Sequence, residues 1–73
     1  MKSPQSWLQD RIKQKVVVYL KNGMNYTGRL LQQDSYMSLV LEDCLEIDRE
    51  GNTTRLDKAL LRGNNILLVI LEE

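Results

Sequence analysis

Two short stretches hold the side chains best suited to chemistry. The first, Asp34-Ser35-Tyr36-Met37-Ser38-Leu39-Val40-Leu41, sets an aromatic ring and hydroxyls beside an acidic turn residue. The second, Leu61-Arg62-Gly63-Asn64-Asn65-Ile66, sets a guanidinium, a glycine and an amide between apolar residues. Polar and planar groups in turns bounded by apolar runs are the layout of loops that strands hold out toward a ligand. A ring and a guanidinium are both flat, and an unpaired base inserted between them is held by stacking, with edge hydrogen bonds from neighbouring groups. These residues therefore point to a shallow site for single-stranded RNA, with Tyr36 on one side of the base and Arg62 on the other.

Catalysis finds little support. The chain has no histidine and a single cysteine, Cys44, so there is no cysteine–histidine pair, no zinc site of those ligands and no disulfide framework, and a reducing compartment is expected. No Gly-rich phosphate loop occurs, and Glu42, Asp43, Glu46 and Asp48 read as the solvated side and ends of one strand rather than as an acid–base pair. No enzyme, cofactor or metal is expected. Ten Lys or Arg balance ten Asp or Glu, so the broad basic field of proteins that grip nucleic acid by its phosphates is missing and any RNA site must be local. The apolar run Ile66 to Leu71 is far shorter than the roughly 20 residues of a membrane-spanning helix, and Met1 to Ile12 does not read as a signal peptide. A soluble intracellular protein is the expectation.

The loops need elements to carry them, and the pattern supplies a helix and five strands within one domain over residues 1–73. Ser3-Pro4 is a helix-start signal, and Trp7, Leu8 and Ile12 share a face, which predicts an amphipathic helix over about 4–13 that lays Trp7 on the end of a sheet. Val16-Val17-Val18-Tyr19-Leu20 is a β-branched and aromatic run, giving a strand over about 15–21 that stops at Asn22-Gly23, a two-residue hairpin signal. Strand two covers about 24–33, with Gly28 marking a bend or a close backbone approach. Strand three covers about 36–48: Met37, Leu39, Leu41, Leu45 and Ile47 alternate with polar residues in a pattern that Asp43 interrupts, as a bulge would. Arg49-Glu50-Gly51-Asn52 is a polar turn into strand four, about 53–62, and Arg62-Gly63-Asn64 connects tightly to strand five, about 65–71. Short connections imply sequential antiparallel neighbours, and a bent sheet of this size curls into a small barrel topped by the helix.

Strand five does not suit a solitary domain. Ile66-Leu67-Leu68-Val69-Ile70-Leu71 is apolar on both faces, whereas one side of a small barrel strand should meet water. Pairing with the edge of a neighbouring copy or paralogue would satisfy its backbone and bury its outer face, and if strand five adds to strand four of the next subunit, the head-to-tail contact can close into a ring. The alternative is a protomer whose own helix and termini cover that edge.

In these features the chain resembles the Sm and Sm-like family over nearly its whole length. The family's first motif corresponds to Val16 to Glu46, with Gly23, Gly28, the Asp34 turn and Tyr36-Met37-Ser38-Leu39-Val40-Leu41; its second corresponds to Leu61-Arg62-Gly63-Asn64-Asn65-Ile66. The resemblance implies a mainly β fold: a short N-terminal helix and a strongly bent, five-stranded antiparallel open barrel that assembles into rings of six or seven. Gly23-Met24-Asn25-Tyr26-Thr27-Gly28 with Asp34-Ser35-Tyr36-Met37 is most similar to the F-type subunit and its Sm-like counterpart, with the E-type subunit a rival.

By that resemblance Tyr36 stacks on a base, Arg62 supplies the opposing planar cation, Gly63 allows close backbone approach and Asn64 offers an amide to base or sugar. Asp34 ties down its loop by an Asx-type turn. Ser38 is a departure, because the family's usual asparagine both donates to and accepts from the Watson–Crick edge of uracil; one short hydroxyl does less, so weaker base discrimination is expected with stacking retained. Lys13, Lys15, Lys21 and Arg29 read as solvated charges, and Glu72-Glu73 lacks an Arg- and Gly-rich tail.

The implied partners are other Sm or Sm-like subunits and single-stranded U-rich RNA, with several weak base contacts combining around a central hole. The function implied first is that of a core subunit in the heteroheptameric ring of a spliceosomal small nuclear ribonucleoprotein, acting in pre-mRNA splicing in the nucleus, with a cytoplasmic phase during assembly. Two alternatives stand beside it: an Sm-like ring subunit in RNA processing or mRNA decay, and a mainly structural ring subunit that touches RNA little.

Overall fold

The computed structural model describes residues 13–72. The helix expected over 4–13, and with it Trp7, lies outside the described residues except for Lys13. That residue has left-handed backbone (φ 74°), and its amide donates to the Leu30 carbonyl. Five strands follow: β1 (Lys15–Leu20), β2 (Asn25–Gln33), β3 (Leu39–Ile47), β4 (Thr53–Leu61) and β5 (Ile66–Leu71), with a single 3-10 turn at Gly63–Asn65 before β5. They form one antiparallel sheet in the order β4-β3-β2-β1-β5. β5 thus returns to pair with β1, and β4 and β5 are the two edge strands of the bent sheet.

Alternation drives the fold. Val16 and Val18 of β1, Tyr26 and Leu30 of β2, Leu39, Leu41 and Cys44 of β3, and Leu61 of β4 form the buried core. Their burial supplies the main driving force, roughly 1.5–3 kcal/mol for each large aliphatic side chain removed from water.

The bend sits at Gly28. The register passes from Thr27↔Leu45 to Arg29↔Glu42, so Gly28 faces two residues, Asp43 and Cys44, and Asp43 has left-handed backbone (φ 48°). A side chain at Gly28 would place its Cβ 2.6 Å from the Cys44 Cβ and 3.0 Å from its Cα. The extra residue also inverts the strand's phase. Cys44 continues the buried face of Leu39 and Leu41, and Leu45 and Ile47, which a simple period-two reading aligns with them, turn to the other face. Glu46 takes the inner side, where the Tyr26 hydroxyl donates to its carboxylate at 2.5 Å. A second shift at Leu31, between Leu30↔Leu41 and Gln32↔Val40, adds curvature.

The three hairpins share one geometry. In the first, the Gly23 amide donates to the Leu20 carbonyl and the Leu20 amide to the Met24 carbonyl; Asp34, Met37 and Ser38 repeat the pattern, as do Asp48, Gly51 and Asn52. The fourth residue is left-handed each time: Gly23 (φ 91°), Met37 (φ 65°) and Gly51 (φ 89°). Each is a three-residue loop, a type I turn closed by a left-handed residue, so Asn22-Gly23 does not form the two-residue hairpin that its dipeptide signals. For the same reason β3 begins at Leu39 rather than near 36: Tyr36 and Met37 are spent in the turn.

Candidate nucleic-acid interface

Asp34 organises the loop between β2 and β3. Its Oδ1 accepts hydrogen bonds from the Tyr36 amide (2.8 Å) and the Ser38 amide (2.9 Å), while its carbonyl accepts from the Met37 amide (3.1 Å). One carboxylate oxygen thereby fixes the backbone on both sides of Met37, a non-glycine residue in a conformation that ordinarily favours glycine. The result turns Tyr36 outward: 83 % of its surface is exposed, so its ring faces are open to a partner.

Asp48 uses the same device in the β3–β4 hairpin, with Oδ1 accepting from the Glu50 and Asn52 amides, each at 2.9 Å. Those bonds, that of Asn52 foremost, hold its carboxyl below the ordinary aspartate range. That loop carries no aromatic ring. Shared turn geometry therefore does not make a site; the side chains it presents do.

The connection between β4 and β5 comes to meet the Asp34 loop. Leu61 pairs with Leu39, so the chain leaves β4 beside Ser38, and the Gly63 amide donates a long hydrogen bond (3.4 Å) to the Ser38 Oγ. The approach is close because position 63 has no side chain: a Cβ there would lie 2.1 Å from the Tyr36 carbonyl oxygen. The Lys21 amide donates to the Asn65 carbonyl (2.8 Å), which anchors the far side of the connection.

These contacts create one open depression that includes all five residues singled out in the sequence, Tyr36, Ser38, Arg62, Gly63 and Asn64, although they lie on two loops 25 residues apart at the Ser38–Gly63 contact. Arg62 and Asn64 are exposed, and neither side chain has a hydrogen-bond or ionic partner among the described residues. Asp34, Met37 and Leu60 complete the lining. Leu60, 67 % exposed, could have been noticed, because successive strand residues point to opposite faces and Leu60 and Leu61 cannot both be buried by one sheet. Among the described residues no group of three or more His, Cys, Asp or Glu could hold a metal, and no helix is long and apolar enough to cross a membrane.

A bent five-stranded antiparallel sheet with two site-bearing loops converging beside its last strands defines an Sm-type domain. The chain belongs to that family: its LSM domain model matches residues 6–71. Among similar proteins, the U6 snRNA-associated Sm-like protein LSm6 of Botryotinia fuckeliana is 36% identical over 99% of this chain and 85% of its own length. Small nuclear ribonucleoprotein F of Schizosaccharomyces pombe is 40% identical over 92% of this chain and 86% of its own. Among solved structures, the heptamer of the Pyrobaculum-type protein P.aerophilum SmAP1 superposes with a TM-score of 0.88 at 30% identity, covering 100% of this chain and 97% of that one. The Sm protein of Pyrococcus abyssii, solved in complex with a uridine heptamer, superposes with a TM-score of 0.86 at 29% identity, covering 97% and 100%.

Proposed function

We propose that this chain is a subunit of an Sm-type ring that binds single-stranded, U-rich RNA during RNA processing, with one base held between Tyr36 and Arg62. The observation that carries the reading is the convergence of the two loops: an exposed aromatic ring and a guanidinium without a partner among the described residues border one depression at the end of β4. A base stacked there gains roughly 1–3 kcal/mol, with a cation–π contribution where the guanidinium reaches the ring face. Gly63 sets the distance between the loops, Ser38 forms the floor, and Asn64 is free to meet the base edge or the sugar. The chain acts by binding, not catalysis.

Ring assembly follows from the two edge strands, β4 and β5, which have no further strand beside them among the described residues. Leu67, Leu68 and Ile70 of β5 are exposed at 69 %, 51 % and 43 %, an apolar edge of the kind that must be covered to stay soluble. Addition of β5 to β4 of a neighbour is head-to-tail, and the heptameric structures to which the fold is similar supply the closed arrangement. Within this reading an Sm-like ring of the U6-associated kind, in the nucleus, comes first, because the Botryotinia fuckeliana LSm6 aligns over 99% of the chain; membership of a splicing core, in the place of the F-type subunit, comes second on the 40% identity with that protein.

A mainly structural subunit is the other reading, favoured by the Ser38 hydroxyl being engaged with Gly63. Photocrosslinking separates them. With RNA carrying 4-thiouridine, attachment within 34–38 or 62–64 supports direct binding. Labelling of other subunits with none on this chain supports the structural role.

A further inference from the structure

The depression can be described by what it leaves available to a base. Four of its backbone donors are consumed internally: the Tyr36 and Ser38 amides go to Asp34 Oδ1, the Met37 amide to the Asp34 carbonyl, and the Gly63 amide to Ser38 Oγ. Ser38 is half-buried and held at its amide and, more loosely, at its hydroxyl, which keeps one hydrogen to donate and one lone pair to accept. The Arg62 and Asn64 side chains are exposed, and no hydrogen bond holds their polar ends in position among the described residues; the Asp34 carboxylate, also in the lining, is held through Oδ1 to its own loop.

The exposed side chains and the held hydroxyl at the floor are therefore ordered differently. The Ser38 hydroxyl can turn to donate to a base acceptor or to accept from a base donor, so every base can meet it. A side-chain amide held in place, whose donor and acceptor side by side discriminate between base edges, is missing among the described residues that line the depression. Stacking on Tyr36 remains, and stacking tolerates every base because each has a π-face.

We propose that this pocket holds its base by stacking without reading the edge, so that it accepts adenine about as readily as uracil and is a base-tolerant position within the RNA-binding ring. This rests on the reading that the depression binds RNA at all. Ser38 is the residue that sets the tolerance: an asparagine there would bring an amide donor and an amide acceptor to the floor from a backbone already fixed by Asp34.

The test uses the complex purified through this chain. A uridine heptamer with 4-thiouridine at one position at a time identifies the nucleotide that attaches to residues 34–38 or 62–64, and affinity is then measured with adenosine replacing uridine at that nucleotide. Affinity should change by less than about threefold, whereas the Ser38→Asn complex should favour uridine by at least about fivefold. A loss of about tenfold or more with the unaltered chain overturns the inference while leaving the binding site intact. A Ser38→Asn complex that melts like the unaltered one and stays equally tolerant removes Ser38 as the determinant. Absence of attachment to either loop at every position overturns the RNA-binding reading, and this inference with it.

Discussion

Replacing Gly63 with alanine should damage the site far more than a comparable change elsewhere. The new Cβ would start 2.1 Å from the Tyr36 carbonyl oxygen and 3.1 Å from the Met37 carbonyl carbon, both backbone atoms with no side-chain freedom to yield. Ordinary contact begins at 3.4 Å, so the loops must part by more than 1 Å. That displacement breaks the Gly63–Ser38 hydrogen bond, which already spans 3.4 Å. Overpacking of this kind costs roughly 1–3 kcal/mol of stability. It also widens the gap between Tyr36 and Arg62, and loss of one stacked base, roughly 1–3 kcal/mol, should weaken RNA binding about 5- to 150-fold. Gly51→Ala is the control: its φ of 89° makes a side chain unfavourable, by about 1–2 kcal/mol, but nothing lies within 4 Å of the new Cβ. Thermal melting should fall for both variants, and titration of the assembled complex with fluorescent oligouridylate should weaken for Gly63→Ala alone. A Gly63→Ala complex that binds like the unaltered one, or a Gly51→Ala complex that loses as much, would refute the close loop contact as the basis of the site.

Three further outcomes follow from the core. Gly28→Ala should lower stability by roughly 2–3 kcal/mol, because its Cβ would meet the Cys44 Cβ at 2.6 Å across the bulge; an unchanged melting temperature would mean that β2 and β3 do not approach so closely. Burial, with help from the hydrogen bond to Glu46 and that carboxylate's charge, pushes the Tyr26 phenol up to about 12. Its folded value lies above its unfolded one near 10, so its stabilising contribution, on the order of 2 kcal/mol, is complete below pH 10 and lost as pH rises through 12. Melting curves across that interval should show the loss, and Tyr26→Phe should remove that part of the alkaline dependence while lowering stability at neutral pH by about 1 kcal/mol. Burial likewise pushes the Cys44 thiol up and leaves it 1% exposed, so labelling by a thiol-specific disulfide reagent at pH 8 should track global unfolding; rapid labelling of the native protein would contradict a buried Cys44.

Much of this architecture was legible because its signals are local. The β-branched run at Val16–Val18 marks β1, the mid-strand Gly28 marks the bend, and the apolar Ile66–Leu71 marks a strand with more to cover than one domain offers. The site residues were legible as two loops of fitting chemistry. What brings them together, the absence of a Cβ at Gly63 beside the Tyr36 carbonyl, depends on a contact between distant segments that no local pattern encodes. Other features were hidden for related reasons. Asn22-Gly23 usually closes a two-residue hairpin, but the chain places Gly23 as the left-handed residue of a longer loop, a choice fixed by the pairing of Tyr19 with Asn25. The extra residue at Asp43 was visible as a broken alternation, yet its consequence, that Cys44 and Glu46 rather than Leu45 and Ile47 face inward, depends on the cross-strand register. Met37 carries no sign of its left-handed backbone, since that conformation is imposed by Asp34 from three residues away.

The most direct test of the whole account is an experimental structure of the complex containing this chain with a uridine heptamer bound. The account predicts a base between the Tyr36 ring and the Arg62 guanidinium, with β5 of this chain hydrogen-bonded to β4 of a neighbouring subunit. A nucleotide path that bypasses both loops, or a β5 edge covered by the chain's own residues, would contradict it.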